Sequence, residues 1–265
     1  MKGKIDMNRT IRRISIGTAF LAAAFLFAAC GGGSSGGSSS STSTRGTITG
    51  FGSVFVDGHE FRTSTGTHRK NLDEGMNDMS GHDNEVFRIG MVVTVIHDGD
   101  DASEIEYENE LEGPIADLDN VLKRFTVLGQ PVAYDNVMTF EPHGMTPANG
   151  MVVEVSGTVD STGLLHASFI ETKPGMMSFE IKGYVSSLDN NLKTFKLGLV
   201  PGAAAATITV DYSSASLSDL PGGALSNGLF VEVKTTATGL VGGKLPATSV
   251  EGHEDIGHSD DMLKS

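Results

Sequence analysis

An all-β fold of three tandem, small, five-stranded barrel-like units is what this sequence predicts, and three observations carry that reading. Stretches of four to six residues alternate apolar and polar side chains and are rich in Val, Ile, Phe and Thr, the period of two that a half-buried strand imposes. Clusters of Gly, Asn and Asp break these stretches, and no part of the chain after Cys30 keeps a helical period. The chain also matches itself, because one order of anchors recurs at spacings of 67 and 70 residues, counted from Gly46 to Gly113 to Gly183.

In chain order, residues 1–29 read as a lipoprotein signal peptide. Lys2, Lys4, Arg9, Arg12 and Arg13 give a basic start, Ile14 to Ala29 an apolar core, and small residues precede Cys30. The run Leu26-Phe27-Ala28-Ala29-Cys30-Gly31 resembles the bacterial lipobox, with Phe27 where that pattern prefers Leu. The resemblance implies that Cys30 is acylated (palmitate) and becomes the mature N-terminus, so the chain is expected to be anchored to a membrane and not to span it. Gly31 stands where an inner-membrane protein of this class would carry Asp, which directs the expectation to the outer membrane, facing either the periplasm or the outside. Residues 30–45 then form the acylated cysteine and a Gly/Ser tether with nothing apolar to bury, its r.m.s. span roughly 20 Å.

The three units are placed at 46–111, 112–176 and 177–252. Each opens on Gly: Gly46-Thr47-Ile48, Gly113-Pro114-Ile115 and Gly183-Tyr184-Val185. The second and third share Leu118-Asp119-Asn120, Leu122-Lys123 and Phe125 against Leu188-Asp189-Asn190, Leu192-Lys193 and Phe195. A Gly-led strand follows from Gly90, Gly150 and Gly228, and a strand from Ala102 to Glu106, Ala167 to Glu171 or Ala247 to Glu251 closes each unit. Val54 to Phe61 reads as a hairpin on an Asp57-Gly58 turn, which pairs Val54 with Phe61. Five strands in so few residues close most economically into a barrel of the OB or SH3 kind, which leaves no open edge; a solenoid is the alternative. An acidic tail with two histidines occupies 253–265.

The stretch Gly46-Thr47-Ile48-Thr49-Gly50-Phe51-Gly52-Ser53-Val54-Phe55-Val56-Asp57-Gly58, the Gly-led strands and the A-x-x-[IV]-E endings resemble the domain-of-unknown-function family 5666, which occurs in tandem in bacterial lipoproteins. The likeness covers nearly all of 46–251 and departs at the insertion Gly66 to Arg88 and the alanine run Gly202 to Ala206. It implies fold and location and carries no chemistry.

Composition excludes several classes. A single Cys permits neither an internal disulfide nor a haem attachment site. Removal of residues 1–29 takes away five basic groups and one acid, leaving 14 basic against 32 acidic residues, a net charge of −18. Such a surface repels nucleic-acid phosphates and favours cationic ligands or divalent ions.

Histidines in so acidic a chain raise metal binding. His253 and His258 lie among four carboxylates within ten residues, a loose set for Zn²⁺, Ni²⁺ or Cu²⁺ that lacks the HExxH spacing. The Thr67 to Arg88 loop adds His68, His82 and Asp83. The Asp98 to Glu104 turn fails the calcium-loop template. No nucleophile elbow, phosphate loop or diagnostic carboxylate pair occurs, so no catalytic residue and no cofactor is assigned, a divalent cation excepted. The expected function is a non-enzymatic envelope lipoprotein, a monomeric binding or scaffolding module for another envelope protein or a glycan, with divalent-metal binding through the 67–88 loop and the tail as the alternative.

Overall fold

The computed structural model describes residues 41–73, 76, 78–202 and 207–253. The expected signal peptide, Cys30, most of the tether, and the tail with His258 lie outside them. No helix among the described residues is long and apolar enough to cross a membrane.

The described chain is all-β apart from one helical turn, α1 (Asp83–Val86), and a 3-10 turn, Pro221–Gly223. A first segment holds β1 (Thr42–Phe51), β2 (Val54–Val56), β3 (His59–Phe61), β4 (His68–Asn71), β5 (Val92–Asp98) and β6 (Asp101–Tyr107). A second holds β7 (Leu111–Asp119), β8 (Arg124–Val127), β9 (Gln130–Ala133), β10 (Thr139–Glu141), β11 (Val152–Val159) and β12 (Leu165–Thr172). A third holds β13 (Phe179–Asp189), β14 (Thr194–Gly198), β15 (Thr207–Asp211), β16 (Ser216–Ser218), β17 (Phe230–Thr235), β18 (Leu245–Pro246) and β19 (Ser249–Gly252).

One pairing scheme recurs in all three. The opening strand pairs antiparallel with the second and fifth strands, and the fifth pairs with the last. The third strand meets the last in parallel in the first two segments, through Arg62↔Asp101 and Leu165↔Val132, and in the third segment it meets β18, just before the last, through Val210↔Leu245. Two residues before each fifth strand stands Gly90, Gly150 or Gly228, whose φ values of 94°, 83° and 88° suit residues without a Cβ. Their N–H groups donate to the carbonyls of Ile48, Ile115 and Val185. Gly183 is needed for close approach, since a Cβ there would lie 2.8 Å from the Gly198 carbonyl oxygen. The Asp57-Gly58 hairpin forms with Val54 opposite Phe61, as its sequence dictates.

The expectation of three separate barrels is corrected. β7 pairs with β13 through Leu111↔Ile181 and Glu112↔Glu180, and the Lys182 N–H donates to the Glu110 carbonyl. The second and third segments therefore share one sheet, and their buried side chains form one apolar cluster from Leu111 to Val250. Phe169 of the second segment packs in the cluster of the first, with Ile48, Phe61 and Tyr107. The body is one continuous β-solenoid-like arrangement. The physical reason is that outward strand faces, polar by sequence and so assigned to water, are covered by neighbouring segments.

The strand count also changes. Each segment has a further short strand, β4, β10 or β16, parallel to its last strand. The 67–88 insertion accordingly contributes β4 and α1, with Arg69 ion-paired to Asp83 at 2.6 Å. The first strand starts at Thr42, inside the stretch read as tether, and pairs with β5 from Thr42↔His97.

Candidate functional site

The residue before each opening glycine is charged: Arg45, Glu112 and Lys182. Strand alternation turns these side chains outward, and register places two partners beside each. The rows are Arg45–Thr94–Glu106, Glu112–Glu154–Glu171 and Lys182–Glu232–Glu251. Where the segments meet, these faces are buried: Glu112 is 8% exposed, Glu154 3% and Lys182 3%.

The second row extends in both directions. Glu180 faces Glu112 across the β7–β13 pairing, and Glu141 of β10 faces Glu171. Five glutamates, 180, 112, 154, 171 and 141, therefore stand side by side on five adjacent strands, about 5 Å apart. Directly opposed like charges destabilise a sheet, so the row needs cations or protons.

Cations supply part of this. Lys182 Nζ donates to Asp73 and to the Asn109 carbonyl and lies 3.4 Å from Glu108 and 3.5 Å from Glu180. Lys173 Nζ bridges Glu154 and Glu171 at 2.8 and 3.0 Å, Arg45 pairs with Glu110, and Lys234 pairs with Glu232 at 2.7 Å. Burial works against the charge of Lys182, yet Asp73, Glu108 and Glu180 outweigh it and raise its pKa.

Protons supply the rest. Burial pushes Glu110 up to about 7 despite Arg45 and the Gly157 N–H. Burial, then the neighbouring Glu154 and Asp73, pushes Glu112 up to about 7. Burial, with Glu232, Asp73 and Glu112 outweighing Lys182, pushes Glu180 up to about 8. Glu108 moves the other way: burial opposes its charge, but His253 and Lys182 hold it down at about 2.

A cleft of about 190 Å³ opens beside the outer end of the row. Met79, Val86 and Met91 of the first segment and Phe169, Glu141, Glu154 and Glu171 of the second are among the residues that line it.

Among the described residues, the histidines proposed from sequence each have a separate setting. His68 lies on β4 with its Nδ1 3.4 Å from Asp78. The backbone N–H of His82 donates to Glu85, and Asp83 accepts from Thr63 and Arg69. His253 joins Glu108 in the charged junction, with its pKa raised first by that hydrogen bond. Among the described residues no group of three or more His, Cys, Asp or Glu is arranged to hold a metal ion. His258 and Cys30 lie outside them. Sequence reasoning missed the glutamate row, and the charged residue before each opening glycine was the signal that pointed to it.

A second feature is built twice. The turns after β7 and β13 each fold on an aspartate, Asp119 or Asp189, whose Oδ1 accepts from two backbone N–H groups at 2.8 and 2.9 Å. Tyr134 and Tyr212 hydroxyls donate to Asn120 and Asn190 at 3.0 Å, and Asn149 and Asn227 accept from the Leu118 and Leu188 N–H groups at 3.0 Å. Lys123 and Lys193 lie over those tyrosine rings at 5.6 and 5.7 Å. Both turns hold a leucine out in solvent, Leu122 at 65% and Leu192 at 68% exposure. Because β7 and β13 run antiparallel through Leu111↔Ile181, the two turns leave that point in opposite directions.

Residues 112–171, the second segment, match the family model described as Domain of unknown function (DUF5666). No curated protein matches the chain.

Proposed function

We propose that this chain is a non-catalytic binding or scaffolding module of the cell envelope, built of three tandem repeat units and held at the outer membrane by acylated Cys30. The observation that carries the binding role is the pair of leucine-tipped turns. Exposing a large apolar side chain at a rigid tip contributes little to folding, and here the same side-chain bonds fix such a tip twice. Rigid presentation of an apolar contact flanked by a cation suits recognition of another envelope protein or a glycan. The recurring strand pairings support the three-unit reading, and the lipobox-like stretch supports the anchor.

The test places a photo-crosslinking side chain at position 122 or 192 in cells. The expected result is capture of the same partner from both positions, lost when Leu122→Asp and Leu192→Asp are combined. Capture of unrelated, abundant proteins from each position would overturn the reading. For the anchor, radiolabelled palmitate should enter the chain and be absent from Cys30→Ala, which should leave the membrane fraction.

A further inference from the structure

We propose that the open edge of the first segment is a self-association site, at which β1 pairs antiparallel with β1 of a second copy of this chain about a two-fold axis at Thr44. Backbone direction gives the first support. Ile48 exchanges hydrogen bonds with Met91 and Gly90, just before β5, and Thr47 turns its backbone the other way, toward Asp57. Alternation therefore aims the N–H and C=O groups of Ser43 and Arg45 away from β5 as well. Among the described residues nothing pairs with those groups, and Thr42 and Ser43 are exposed. A row of unpaired main-chain groups at a sheet edge is a template for another strand.

The repeat independently specifies which strand fits. Two positions before the opening glycines stand Thr44, Leu111 and Ile181, and the latter two face each other at the centre of the β7–β13 crossing. Ser43 and Arg45 correspond to Glu110 and Glu112 of β7 and to Glu180 and Lys182 of β13. There the same backbone groups join one opening strand to another, as the Lys182 N–H does to the Glu110 carbonyl. Of three opening strands one is left without a like partner, and a second copy of the chain supplies it.

Side chains and the flanking turn suit the pairing. The crossing's register sets Thr44 opposite Thr44, a favourable cross-strand pair, and Arg45 opposite uncharged Ser43, whereas β7 and β13 oppose Glu112 with Glu180. Arg45 keeps its guanidinium on Glu110, so its main chain alone is offered. The Asp57-Gly58 turn beside the edge, with φ of 49° and 81°, repeats the Leu128-Gly129 turn, with φ of 53° and 90°, which leaves β13 room to pair with β7. So small a contact gives a weak dimer, with a dissociation constant of about 10–100 μM. The net charge of −14 on each chain opposes it, and salt screens that repulsion.

Disulfide trapping in cells producing the full chain tests the proposal. The two Thr44 residues would form a non-hydrogen-bonded pair with Cα atoms about 4.5 Å apart, within disulfide reach, while the two Ser43 residues would stand on a diagonal of about 7–8 Å. Under a mild oxidant Thr44→Cys should give a covalent dimer about tenfold more abundant than Ser43→Cys or the unsubstituted chain with its single Cys30. Adding Ser43→Pro, which removes an N–H from the open edge and spares the β5 ladder, should cut that dimer about tenfold. Sedimentation of the purified full chain in detergent at about 0.5 M NaCl should show a monomer–dimer equilibrium, lost in Ser43→Pro at an unchanged melting temperature. Equal trapping from Ser43→Cys, trapping unaffected by Ser43→Pro, or a chain that stays monomeric up to about 1 mM would overturn the site. So would a Thr44→Cys chain that bridges only to its own Cys30 or only to a different protein.

Discussion

The second and third segments carry the same three outward positions and fill them differently: Glu112, Glu154 and Glu171 in one, Lys182, Glu232 and Glu251 in the other. Inside the segments the equivalent side chains stay apolar, Leu111 for Ile181, Val155 for Val233, Ile170 for Val250. A repeat can drift at positions facing outward because the core does not read them. Here the drift became complementary. Lys182 answers the acids around it, while Glu112 sits among acids and depends on protons and on Lys173 further along the row. One charge reversal at the residue before a glycine separates a position that holds the joint from one that strains it.

The largest effect should come from removing the cation. Lys182→Met leaves Asp73, Glu108 and Glu180 buried with fewer donors and should cost about 3–5 kcal/mol in urea unfolding. A loss under about 1 kcal/mol would show that the lysine is not what holds the joint.

Next comes pH. Glu110, Glu112 and Glu180 titrate near 7, 7 and 8 in the folded chain, above the roughly 4.3 of an unfolded glutamate. The folded state therefore holds more protons than the unfolded state across that window, so stability falls as pH rises from about 5 to about 8. On the acid side Glu108, held at about 2, contributes above about 4.3 and loses that contribution as pH falls. The melting temperature should peak near pH 5 and drop by about 5 °C or more by pH 8.5; a peak at pH 8 would contradict the assignment.

Glu112→Gln sharpens the comparison. It removes one charge from the row and should raise stability by about 1 kcal/mol at pH 8.5, with little change at pH 5. Equal effects at both values would remove ionisation as the cause. The smallest effect belongs to the turns: Leu122→Asp and Leu192→Asp should each change stability by less than about 0.5 kcal/mol, measured by thermal unfolding.

Much of the fold is legible because its signals are local. Alternation sets which face of β7 or β13 is apolar, and the glycines at 90, 150 and 228 mark strand starts through a backbone conformation that favours glycine. The short strands β4, β10 and β16 escape because three or four residues such as Ser216–Ser218 show no period. The charged junction escapes for a different reason. Alternation says that Glu112 and Lys182 point away from their own core, but only tertiary packing decides that another segment, not water, lies there. The settings of single histidines were not legible either, because an acidic chain offers each a carboxylate at hand and only the fold decides which: His68 meets Asp78 and His253 meets Glu108.

The antiparallel crossing at Leu111 and Ile181 has a consequence for stoichiometry. On the proposed binding role, two like turns that leave one crossing in opposite directions would make each chain divalent toward whatever recognises them, so that a single molecule would seat two copies of its partner. A partner that is itself repeated, as a polymer or an array is, would then be gripped with an avidity far above the affinity of either turn, and Leu122→Asp or Leu192→Asp alone would abolish that gain while leaving the other contact intact.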